Sequence, residues 1–202
     1  MRCRIRLLHK AAEQGHAEAQ YLLGLHYFEG DGVAEDKTEA IKWFCQATER
    51  GNSGAQYHLA ECLLCGNGIA KDRNGAIQWF LKAAEQGYVD AQFMLGLCYL
   101  NGDVNNDGTT TNEWFPNATE MGIQEMLNDS GQYHYSNRNG SDENKVEAVK
   151  WLRKAAEQGH TKAQFMLGVC YFNGDGVERD KAIANEWWQK RQTTSNGNDP
   201  ST

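Results

Sequence analysis

A short pattern of small and aromatic residues returns along this chain about every thirty-six residues, and that recurrence restricts the fold more than any other feature. Ala11-Ala12-Glu13-Gln14-Gly15 comes back as Ala83-Ala84-Glu85-Gln86-Gly87 and as Ala155-Ala156-Glu157-Gln158-Gly159, with Gly51 closing a related stretch. An Ala-Gln pair follows each glycine at one offset: Ala19-Gln20, Ala55-Gln56, Ala91-Gln92 and Ala163-Gln164. Leu-Gly or Leu-Ala comes next, at Leu23-Gly24, Leu59-Ala60, Leu95-Gly96 and Leu167-Gly168. Tryptophan recurs at Trp43, Trp79, Trp114, Trp151 and Trp187. A closed bundle would not demand one spacing for glycine, alanine and tryptophan in every unit.

Each unit reads as two helices. In the first, spanning 17–29, Ala19, Leu23, Gly24 and Tyr27 fall at helical spacing rather than strand spacing. Gly30-Asp31-Gly32-Val33 breaks it. Asp36 is placed to cap the second helix, where its carboxylate accepts an unpaired backbone N–H. That helix carries Ala40, Trp43, Phe44 and Ala47 on one face and stops at Gly51. Gly24 and Ala40 have almost no side chain, so the two backbones should approach closely there. One hairpin cannot bury its apolar face alone, and stacked neighbours give a continuous core.

With its Ala-Gln, Leu-Gly, Gly-x-Gly-Val, Asp, Trp and terminal Gly positions, the unit resembles the Sel-1-like repeat, a relative of the tetratricopeptide repeat. The resemblance covers roughly residues 7–190. It implies an all-α fold, an α/α superhelix of about five hairpin repeats, used as a scaffold or adaptor for protein complexes and common in bacteria. The expected organisation is one solenoid over 1–191, with a cap helix at 2–15 and repeats at about 16–51, 52–87, 88–122, 123–159 and 160–191. The polar residues 192–202 read as a disordered tail.

The pattern weakens between the third and last units. Val104 replaces the second loop glycine, Thr111 and Asn112 replace small and apolar residues, and Pro116 falls inside an expected helix. Met126-Leu127 stands for Ala-Gln, Asp129-Ser130 for an apolar pair, and a polar run occupies 136–141. This reads as a decayed repeat rather than a loop shaped for a partner.

The net charge of −7 gives no basic stripe for nucleic acid or for anionic membrane surfaces. No apolar run is long enough to cross a membrane. No catalytic or phosphate-binding motif occurs, and neither cofactor nor metal is expected. Asp103-Val104-Asn105-Asn106-Asp107-Gly108 resembles half a calcium loop, but Trp114 holds the place of the required glutamate and Glu113 falls one residue early. His58, Cys62 and Cys65 share a helix face, yet His58 occupies the slot of Leu22, Met94 and Met166, and Cys62 that of Cys98 and Cys170, which suits core packing better than zinc. A cysteine-rich branch of the resembling family carries β-lactamase activity, with cysteines paired inside each hairpin. Here Cys62, Cys98 and Cys170 share one register on first helices without a matching cysteine on the second. Such an enzyme is therefore the alternative, not the leading reading. Registers one repeat apart are too distant for disulfides, so the thiols are expected reduced. A cytoplasmic location is expected for the chain as given, or a periplasmic or secreted one if an export signal has been removed.

The leading expectation is a scaffold that binds a partner protein or peptide on a concave side lined by first helices, as in tetratricopeptide-type arrays. One slot of those helices holds Tyr21, Tyr57, Phe93 and Phe165, with Asn128 in the weakened unit. A later slot holds Phe28, Leu64, Leu100, Tyr135 and Phe172. These side chains read either as inter-repeat core or as a groove floor for apolar residues of a peptide. Glu18 and Asp90 beside the first slot would favour a partner with basic residues. In a near one-dimensional array each unit leans on its neighbours, so Pro116 and the polar substitutions predict faster amide hydrogen exchange over 103–145 than over 52–100. Uniform protection along the chain would contradict this.

Overall fold

The computed structural model describes residues 2–104 and 140–196. Within them run nine α-helices: α1 (Arg2–Glu13), α2 (Ala17–Glu29), α3 (Lys37–Glu49), α4 (Ser53–Cys65), α5 (Arg73–Glu85), α6 (Val89–Asn101), α7 (Asp142–Glu157), α8 (Thr161–Asn173) and α9 (Lys181–Asn196). The fold is all-α. It divides into two compact units, residues 1–91 and 92–202, each considered by itself. In the first, α1 to α5 pack in chain order, each on the next; in the second, α8 packs on both α7 and α9.

Helix limits follow local chemistry. Asp36 and Asp72 cap α3 and α5 by accepting the N–H groups of Glu39 and Gly75 at 2.9 and 3.0 Å. Asn52 caps α4 and Ser141 caps α7 in the same way. At the other end, Gly30 takes the left-handed conformation with φ 73° and returns its N–H to the His26 carbonyl. The last helix continues to Asn196, past the boundary expected at Arg191. The residues from Gln192 to Asn196 hold no proline or glycine, and Gly197 is the first breaker. Residues 197–202 lie outside the described part.

The hairpin crossing matches the repeat's small residues. A methyl group added at Gly24 would stand 2.6 Å from the Phe44 ring and 3.3 Å from the Ala40 carbonyl. Phe44 fills that site and is fully buried. Neighbouring hairpins meet at the second loop glycine. Gly68, at φ +77°, would bring a Cβ within 2.7 Å of the Lys37 carbonyl at the start of α3. No L side chain suits both that backbone and that contact.

The recurrent glutamine is an interior amide. Gln20 donates to the Ala12 carbonyl at 3.0 Å, and Gln164 does the same to Ala156 at 3.2 Å. Each ties the start of a first helix to the end of the preceding second helix. Gln56 and Gln92 accept from Gln86 and Gln158, both at 2.8 Å.

Next to the weakened region, helix α6 packs on α7: a Cβ at Gly96 would meet Leu152 at 2.8 Å and the Ala148 carbonyl at 3.3 Å. Gly140 donates its N–H to the Leu100 carbonyl at 3.4 Å. The second helix of the repeat expected at 88–122 and the first helix of the repeat expected at 123–159 fall on residues outside the described part. Ala148 and Leu152 reproduce the small and large pair of Ala40 and Phe44; with Trp114 aligned on Trp43, Thr111 stands at the small slot one period earlier and Pro116 directly follows Phe115. Residues 105–139, with Trp114, Pro116, Asn128, Tyr135 and most of the calcium-like loop, lie outside the described part.

Two substitutions test this packing by urea unfolding. Phe44→Ala empties a fully buried site and should remove about 3–5 kcal/mol. Gln164→Ala removes a buried side-chain hydrogen bond to the Ala156 carbonyl, which keeps its backbone partner Gly159, and should remove about 0.5–1.5 kcal/mol.

Candidate functional site

The expected partner-binding residues fall in both units. In the first, Tyr21 on α2 and Tyr57 on α4 occupy the same slot of adjacent first helices, and both are half-buried. Tyr21 lies over Gly54, where a Cβ would stand 2.8 Å from its ring, and it stacks on His58 with centroids 5.7 Å apart. His58 stacks in turn on Phe44 at 5.8 Å. Tyr57 packs against Tyr88 at 5.1 Å and Phe80 at 5.7 Å. Its hydroxyl donates to Glu61 at 2.8 Å, while the other oxygen of that carboxylate meets the His58 ring at 3.1 Å. The hydroxyls of Tyr88 and Tyr21 are hydrogen-bonded to each other, which closes the cluster.

Glu18 is exposed and accepts from the Asn52 side chain at 2.9 Å. Asp90 is exposed in the first turn of α6. Phe28 is half-buried against Phe44 at 6.3 Å, with the Lys37 ammonium 5.7 Å from its ring. In the second unit, Phe93 is buried to 7% exposure and packs on His160 at 4.6 Å. Phe165 is half-buried against Trp188 at 6.3 Å, with the Arg191 guanidinium 5.1 Å from its ring. The structure thus brings Tyr21 and Tyr57 into one cluster through His58 and Tyr88, and it holds Phe93 and Phe165 in separate contacts.

Glu61 and Tyr88 join this cluster without having been singled out from sequence. A signal for both existed in the repeat register: Glu61 fills the slot of Leu25, Leu97 and Val169, and Tyr88 that of His16, Asn52 and His160. Asn52 and His160 cap helices from that slot. Tyr88 instead turns its ring to Tyr57.

Burial is the main cause that raises the hydroxyl pKa of each tyrosine, and nearby carboxylates add to it. Glu18, Glu61 and Glu29 act on Tyr21, Glu61 and Asp90 on Tyr57, and Asp90 and Glu61 on Tyr88. Burial also pushes the Cys62 thiol up to about 12, which keeps it in its unreactive protonated form. Among the described residues, Cys45 and Cys62 are thiols outside any disulfide. Among the described residues, no three of His, Cys, Asp and Glu are placed to hold a metal ion. No described helix is long and apolar enough to cross a membrane.

The raised tyrosine values belong to the folded state, so the unfolded chain gives up phenolic protons first. Stability should be full below about pH 10 and decline above it. Urea midpoints measured from pH 7 to 11 should show that decline, and Tyr57→Phe should flatten it. An equal decline in both proteins would contradict the burial of this hydroxyl.

The family model described as the Sel1 repeat matches residues 5–16, 17–52, 53–88, 89–122, 125–160 and 161–190. Among solved structures, a Sel1 repeat protein from Oxalobacter formigenes is 26% identical, with a TM-score of 0.68 over 94% of this chain and 63% of that one. The protective antigen c5321 of uropathogenic Escherichia coli, which displays the same repeat fold, is 35% identical, with a TM-score of 0.50 over 93% of this chain and 40% of that one. Two fungal relatives are similar over shorter stretches. The chitin synthase regulator SKT5 of Saccharomyces cerevisiae is 45% identical over 49 residues, 24% of this chain and 7% of the relative. Chitin synthase regulatory factor 3 of Schizosaccharomyces pombe is 34% identical over 76 residues, 37% of this chain and 8% of the relative. The chain thus spans less than a tenth of the length of these fungal relatives. Repeats matched along nearly the whole sequence, together with the shared α/α superhelical fold class, place the chain in the Sel1 repeat family.

Proposed function

We propose that this chain is a non-catalytic scaffold that binds a partner protein or peptide on the side formed by its first helices. The observation that carries the reading is the half-buried tyrosine pair, Tyr21 and Tyr57, on adjacent first helices beside Glu18, Glu61 and Asp90. Partly exposed aromatic side chains with polar tips supply large contact area at low entropy cost, and they dominate many protein interfaces. Phe28 and Phe165, also half-buried, would extend the contact in their own units, whereas the burial of Phe93 gives it a packing role as well. The regulator names of the fungal relatives support a binding role over the alternative enzyme of the β-lactamase-like branch. A bacterial source and a cytoplasmic location remain part of the proposal. Bacterial structural neighbours support the first, and the shared register of Cys62, Cys98 and Cys170 on successive first helices supports the second.

The test compares Tyr57→Ala and Phe93→Ala with the parent chain in melting temperature and in partner capture from a lysate. Tyr57→Ala should lose the captured partner with only a small change in melting temperature. Phe93→Ala should melt earlier, in keeping with about 3–5 kcal/mol for emptying a buried phenylalanine site. A sharp fall in melting temperature for both would assign the tyrosine to the core and defeat the groove reading.

A further inference from the structure

The repeats are their own reference for what stacking requires at each slot. At the slot of Glu61 the other units hold Leu25, Leu97 and Val169, and at the slot of His58 they hold Leu22, Met94 and Met166. Leu97, Met94 and Met166 are buried at 5%, 7% and 1% exposure, so these slots serve apolar packing in the second unit. Stacking therefore does not call for a carboxylate or an imidazole at either place. Nor does it call for a tyrosine at position 88, where Asn52 and His160 cap their helices from the same slot. These three departures do not scatter. They converge with Tyr21 and Tyr57 on one spot, where Glu61 holds both the Tyr57 hydroxyl and the His58 ring. Tyr88 packs on Tyr57 at 5.1 Å, and Tyr21 stacks on His58 at 5.7 Å.

We infer that this cluster receives one arginine side chain of the partner, an inference that rests on the scaffold reading above. Glu61 lies within the cluster, bonded to Tyr57 and beside His58, and the carboxylates of Glu18, Glu29 and Asp90 also act on its tyrosines, so the spot is complementary to a cation. Tyrosine faces select a planar, weakly hydrated guanidinium over the compact, strongly hydrated ammonium of lysine. Each Glu61 oxygen carries a second lone pair beyond the one used by Tyr57 or His58, which suits the guanidinium fork. Tyr57 and His58 hold that carboxylate in one rotamer before the partner arrives, which lowers the entropy lost on binding.

The test pans a random dodecapeptide library on the full chain. The enriched peptides should carry arginine at one fixed position. The best of them should bind Glu61→Gln at least about tenfold more weakly, the expected loss of a charge-assisted hydrogen-bond pair. Replacing its arginine with citrulline, which keeps the shape and removes the charge, should cost a similar factor. Glu157→Gln, the same charge change on α7, should leave affinity within about twofold. Glu61→Leu installs the residue that two other repeats use at this slot, so it should fold normally and still lose the peptide. Peptides enriched without arginine, bound equally well with lysine, or indifferent to both Glu61 variants overturn the arginine assignment and leave the scaffold reading standing. No enrichment above the bare support overturns both.

Discussion

Where Gly24 meets Phe44 and the Ala40 carbonyl, two helix backbones lie closer than any larger side chain would allow. The contact needs glycine or, as at Ala60, alanine on the first helix, alanine on the second and a large apolar group one turn beyond. The contact of α6 with α7 repeats it with Gly96, Ala148 and Leu152, and Gly168 lies under Trp188 in the last hairpin. Once that crossing is set, the remaining parts find their places. The second loop glycine meets the neighbouring hairpin, and the buried glutamine ties a first helix to the end of the one before it. Dispersion and apolar burial supply most of the attraction at the crossing, while the glycine decides its distance.

Much of this was legible from residue order. Helix α2, its glycine stop, the Asp36 cap and the faces of α3 follow from side-chain types at fixed offsets. The pairing of α6 with α7 did not follow, because period alone assigns each helix to its nearest successor. Only the contacts at Gly96 show which second helix offers the right small and large pair. The glutamine recurrence was visible, but its meaning was not, since a polar residue at a fixed slot does not reveal which carbonyl it faces. The tyrosine slot of the candidate site was legible as an aromatic ladder. Its polar chemistry required knowing that Glu61 lies beneath Tyr57 and His58.

Under the proposed binding role, the two demands on a repeat array, stacking and recognition, meet in the tyrosine cluster of the first unit. Phe44 and Phe80 are fully buried and serve the stack. Tyr21, Tyr57 and Tyr88 are half-buried, so their rings contribute to the same joints while their hydroxyls form a polar network at its edge. A polar network at the margin of a packed joint restricts side-chain rotamers without placing unsatisfied groups in the core. Under the proposed binding role, that combination would give the surface its rigidity at little cost to the fold.

Gly68 carries one more lesson, about how change is tolerated. Its positive φ and its closeness to the Lys37 carbonyl leave no room for a side chain, so the joint between the first two hairpins is drawn by backbone against backbone. Surface side chains around such a joint can be exchanged without moving it, which leaves the outer faces of the array free to diversify.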